Sequence, residues 1–103
     1  MSKVDDTHVF ETSEARKLRL ADLDRNVLEQ EVVAAIRQHR QLVEADQILY
    51  DEWVAAANDR SVPATVTRAL QDQYVLRQRR TLAQQDMLID MLNVLGYRPD
   101  VFD

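Results

Sequence analysis

Apolar residues recur three and four positions apart from Leu28 to Ala57 and again from Val66 to Leu95, and one strong break, Asn58-Asp59-Arg60-Ser61-Val62-Pro63, separates the two runs. Gly96 and then Pro99 stop the second run. The pattern predicts two long helices folded into an antiparallel hairpin, each a rod of roughly 50 Å at about 1.5 Å per residue. The first starts at Asp22 or Asp24, both good N-caps, with Glu29 and Glu31 in its first turns. A rotation of about 100° per residue gathers Leu28, Val32, Ala35, Ile36, Leu42, Val43, Leu49, Tyr50, Trp53, Val54 and Ala57 on one side. Arg37, Arg40, Gln41, Glu44, Asp51 and Glu52 lie opposite, so one face is core and the other solvent.

The second helix departs from this simplicity. From Leu82 onward its apolar residues spread around most of the wheel and leave only a narrow polar stripe of Asp86, Asp90 and Asn93. One partner helix cannot cover such a surface, and the chain has only one other long helix. The expected remedy is a second copy, giving a homodimeric four-helix bundle with Leu82, Met87, Leu88, Met91, Leu92 and Leu95 at the dimer interface. The fold class is therefore all-α. The expected organisation is an N-terminal arm over 1–21 and a hairpin domain over 22–103: a helix over about 24–57, a turn at 58–62, a helix over about 63–95 and a tail at 96–103. The arm is polar with scattered Val4, Val9, Phe10, Leu18 and Leu20, and is expected to be flexible or to hold one short helix over Glu14 to Leu20 capped by Ser13.

Composition narrows the class of function. The 103 residues hold one glycine, two prolines and no cysteine, which suits helices and removes disulfides, thiol nucleophiles and thiolate metal sites. No apolar run is long enough for a membrane span, and Met1 to Asp6 lacks the apolar core of a signal peptide, so a cytoplasmic protein is expected. A net charge of −5 argues against direct nucleic-acid binding, which normally relies on a basic surface, and favours basic partners.

Polar residues inside the apolar arcs are the remaining candidates for chemistry. Pairing the helices about the turn sets Asp46 opposite Tyr74 to Arg77 and His39 opposite Arg80 to Gln84, predicting an Asp46–Arg77 ion pair and a hydrogen bond from His39 to Arg80, Thr81 or Gln84. A metal site in a bundle repeats carboxylates with a Glu-x-x-His spacing, but Ile36 stands three residues before His39, and His8 is the only other histidine. The layer of His39, Asp46, Arg77, Arg80 and Gln84 is read as a device that sets register, at some cost in stability. No phosphate loop, dinucleotide motif or catalytic constellation accompanies it, so no enzyme, cofactor, metal or small-molecule ligand is expected. Tyr50, Trp53 and Tyr74 lie near the turn on facing sides, suited to packing or to a binding hot spot, while Tyr97, Val101 and Phe102 lie beyond the helix stop, suited to a lid or to a partner.

The stretch Ala35-Ile36-Arg37-Gln38-His39-Arg40-Gln41-Leu42-Val43-Glu44, with Leu92-Asn93-Val94-Leu95-Gly96-Tyr97-Arg98-Pro99-Asp100-Val101, resembles the TraM antiactivators of conjugative plasmids. Those carry a comparable Ala-Ile-Arg-x-His-Arg-x-Leu-Val-Glu run and a Leu-Gly-aromatic-x-Pro-x-Val ending. The resemblance implies an all-helical homodimer that binds a LuxR-type, TraR-like quorum-sensing activator and keeps it from its promoter, repressing conjugal transfer genes. On that reading the expected partner-binding residues are Tyr97, Arg98, Pro99, Val101 and Phe102, with Tyr74 a weaker addition. The alternative is a non-catalytic helical-hairpin adaptor or chaperone for a secretion or assembly component.

Overall fold

The computed structural model describes residues 11–102, which form three helices and, among the described residues, no strand: α1 (Ser13–Ala21), α2 (Arg25–Ala57) and α3 (Ala64–Leu95). Val4, His8, Val9 and Phe10 of the arm, and Asp103, lie outside the described residues. Local chemistry sets the helix ends. Thr12, not the expected Ser13, caps α1, its hydroxyl accepting from the Ala15 amide at 3.1 Å. Ser13 is already inside the helix and its hydroxyl is engaged elsewhere.

The turn between α2 and α3 is held by Asp59, whose Oδ1 accepts from the Ser61 amide at 2.9 Å and from the Ser61 hydroxyl at 2.7 Å. Such a side-chain turn substitutes for a backbone one, and the two donors hold the Asp59 carboxyl below its usual pKa. Pro63 then caps α3 in the extended backbone usual for a cap, φ −61° and ψ 145°, its carbonyl accepting from the Val66 and Thr67 amides at 3.0 and 3.3 Å. At the other end Gly96 takes φ +90°, and its amide closes the helix on the Leu92 carbonyl at 2.8 Å.

The hydrophobic core occupies only the open end of the hairpin. Leu20, Leu28, Val32, Ile36, Leu88, Met91 and Leu95 are buried together, with Leu23, Ala35, Leu92, Val94 and Val101 packed against them. From residue 37 to residue 87 only two residues are buried, Asp46 and Thr81, and both are polar. The radius of gyration of 17.9 Å, against about 13 Å for a compact chain of this size, reflects that extended distal arm.

The neighbours of the apolar part of α3 therefore differ from expectation. Leu88, Met91 and Leu95 are 8%, 6% and 0% exposed within the single chain, so its own core already buries them. Leu92 is partly buried against the same cluster. α1 and the C-terminal tail supply what a second copy was expected to supply, through Leu20 and Val101. Of the six expected interface residues, Leu82 and Met87 keep open surfaces, at 56% and 42% exposed.

Candidate partner-binding surfaces

The polar layer in the middle of the hairpin is closed on itself. Arg77 Nε donates to Asp46 Oδ1 at 3.1 Å, and the Thr81 hydroxyl donates to Asp46 Oδ2 at 2.6 Å, so both carboxylate oxygens are engaged. One turn toward the core, Gln84 donates its amide to the Ala35 carbonyl at 3.1 Å and turns its Oε1 toward His39 Nδ1 at 2.9 Å. An amide oxygen can only accept, so the network assigns the proton to Nδ1 of His39. Arg80 takes no part: it sits on the exposed side of α3, against expectation, and Thr81 holds the buried place. With both oxygens of Asp46 committed to Arg77 and Thr81, that carboxylate ties α2 to α3. Among the described residues no three histidine or acidic side chains gather to hold a metal ion.

The tail is an extended strap laid on α2. Arg37 and Arg40 donate to the Phe102 and Val101 carbonyls at 3.3 and 3.0 Å, and Arg25 donates to the Leu95 carbonyl at 2.8 Å while lying over the Tyr97 ring at 5.8 Å from its centroid. The Tyr97 hydroxyl donates to the Glu29 carboxylate, which raises the phenol pKa because a phenolate would face that carboxylate. Val101 is partly buried in the core edge and Pro99 half-buried, whereas Arg98 is exposed, Tyr97 is 43% exposed and Phe102 is 81% exposed. Tyr97, Arg98 and Phe102 thus form an open face at one end of the molecule, and Val101 anchors it.

Tyr74 is not part of that face. It packs with Tyr50 and Trp53 at centroid distances of 5.4 and 5.7 Å, and Tyr50 meets Trp53 edge-on at 5.8 Å and 88°. The trio sits at least ten residues of α2, about 15 Å of helix, beyond the arginines that hold the tail. Around it the distal arm exposes Val43, Ile48, Val54, Val66, Leu76 and Leu82 at 38–63%. Exposed apolar side chains in such number on two adjoining helices mark a surface built to be covered.

The stripe of Asp86, Asp90 and Asn93 holds a feature the sequence pattern did not disclose. Asp90 is buried at 7% exposed and accepts from the Ser13 hydroxyl at 2.8 Å and from Arg16 Nη1 at 2.7 Å, with Lys17 at 4.0 Å. Those partners hold its carboxyl below the usual range, the Ser13 hydrogen bond contributing most. The signal was present in Ser13, Arg16 and Leu20, which share one side of α1, but polarity on a helix wheel alone does not distinguish a solvent face from a seam.

The molecule is a helical hairpin with an open apolar arm, and among the described residues no helix is long and apolar enough to cross a membrane. The family model described as prokaryotic transcriptional repressor TraM matches residues 1–100, and the chain belongs to that family. The family is one of regulators and not of enzymes, so the chain's role lies in transcriptional repression.

Proposed function

We propose that this chain is an antiactivator: it binds a LuxR-type, TraR-like quorum-sensing activator in the cytoplasm and blocks its binding to promoter DNA, repressing conjugal transfer genes. The observation that carries the reading is the open face of Tyr97, Arg98 and Phe102 at the end of the molecule, with Tyr97 43% and Phe102 81% exposed. Repression by contact with an activator needs such a surface and no catalytic group. The net charge of −5 suits a partner whose DNA-binding domain is basic, and disfavours repression by occupying DNA directly.

The working form is a homodimer. Leaving aside the internally paired Asp46 and Arg77, the α2 side of the arm carries Glu44, Asp51 and Glu52 with no basic residue between positions 41 and 52, whereas the α3 side carries Arg68, Arg79 and Arg80 against Asp72. A twofold arrangement sets the acidic helix of each copy against the basic helix of the other and buries Leu82 and its exposed neighbours, completing a four-helix bundle along the arm. The face of Tyr97, Arg98 and Phe102 is left outside that bundle and is the proposed contact for the activator. A pull-down with a LuxR-type activator tests the reading, with Phe102→Ala paired with Tyr97→Ala as the variant. Capture by the wild-type chain and at least tenfold weaker capture by the variant are expected, since exposed aromatic anchors each contribute about 1 kcal/mol or more. Equal capture by both removes the tail from the interface.

A further inference from the structure

We infer that α1 is a releasable strap, latched to α3 by the single carboxylate of Asp90, and that its release uncovers an apolar seat on α3. Helix α1 has nine residues, too few to persist alone in water. It places one apolar side chain in the core, Leu20, while Leu18 is 71% exposed. Everything else that binds its first turns to the body converges on Asp90: the Ser13 hydroxyl and Arg16 Nη1 on Oδ2, and Lys17 at the edge of ion-pair range on Oδ1. Only Asp22, Leu23 and Asp24 connect it to α2, and of these Leu23 packs against the core and serves as the fixed point about which α1 swings.

The latch is incomplete. Among the described residues, Arg16 Nε is the one buried side-chain nitrogen or oxygen without a hydrogen-bond partner. A dry, unpaired guanidinium nitrogen offsets part of what Arg16 gains through Nη1, so the docked state is poised and not locked. Lifting α1 withdraws Leu20 from Leu88, Met91 and Leu95, which share its cluster. The strip left on α3 takes an amphipathic helix with a cation four residues before a leucine, the pattern of Arg16 and Leu20. This device stands whether or not the partner is a LuxR-type activator.

Amide hydrogen exchange on the full chain, read by mass spectrometry in segments 13–21 and 28–36, tests it. In the wild-type chain, segment 13–21 is expected to exchange at least about tenfold faster than 28–36, because it opens without global unfolding. Asp90→Asn is expected to speed 13–21 by a further tenfold or so while leaving 28–36 within about twofold, the loss expected for a hydrogen bond to a charged group. Arg16→Gln, which alters the latch from the α1 side and leaves α3 intact, gives the same result if Asp90→Asn proves poorly folded. Equal rates for the two segments in the wild-type chain, or no change of the 13–21 rate in both variants, overturns the strap.

Discussion

At the scale of single residues, carboxylates decide how this chain holds together. Asp46 is 4% exposed and engaged on both oxygens, so Asp46→Ala strands Thr81 and the half-buried Arg77. A loss of about 3 kcal/mol is expected in urea unfolding, whereas the joint replacement Asp46→Leu, Arg77→Met and Thr81→Val restores most of it, because no partner is left unpaired. Asp90 acts through pH. Its carboxyl is depressed in the folded chain by Ser13 and Arg16, so the docking it supports is present above the ordinary carboxylate range and is lost as pH falls through the depressed value. Tyr97 has the opposite sign. Its phenol is raised by Glu29, so its contribution is present below the ordinary phenol pKa of about 10 and is lost as pH rises through the folded value. Ultraviolet absorbance titration should therefore show the Tyr97 part of the phenolate signal moving to lower pH in Glu29→Gln than in the wild-type chain.

At the scale of elements, each helix has a distinct reason to exist. The hairpin was legible in the sequence because one break, Asn58 to Pro63, divides two periodic runs, and fixing that turn fixes which residues face each other. Asp46 against Arg77 and His39 against Gln84 follow from that geometry. α1 was less legible. Its seat on α3 contains Asp90, and an aspartate on an apolar helix reads as solvent-facing unless the Ser13 and Arg16 that meet it are placed by tertiary structure. The same holds for Leu88, Met91 and Leu95, which the helix wheel leaves without a partner and which pack with Leu20 of α1 within the single chain. Gly96 shows an element ended by backbone alone: a Cβ there meets only Arg25 Nη2 at 4.0 Å, so Gly96→Ala should cost about 1–2 kcal/mol from the left-handed conformation and not from a clash. Thermal unfolding of that variant, with the Arg25 contact left in place, checks it.

At the scale of the whole molecule, the division of labour is between a buried end and an open arm. The end where α1, the tail and both long helices meet carries the core, and the arm beyond residue 37 carries only polar burial and an aromatic clasp. Among the described residues only seven apolar side chains are buried, while fourteen large hydrophobic residues are exposed, so much apolar surface remains for association. Sedimentation at micromolar concentration is expected to return twice the 12.0 kDa chain mass, and Leu82→Glu combined with Leu76→Glu is expected to return a monomer whose α2–α3 hairpin persists by circular dichroism. A monomeric wild-type chain would remove the dimer and leave the arm to the activator alone.

Membership of the TraM repressor family gives the chain a role in transcriptional repression, and contact with an activator is the proposed means. The most direct measurement mixes the purified chain with a LuxR-type activator from the same replicon and follows retention of its promoter DNA as the chain is added in excess. DNA is expected to be released while the chain itself shifts no DNA. DNA binding undiminished at excess chain would contradict it.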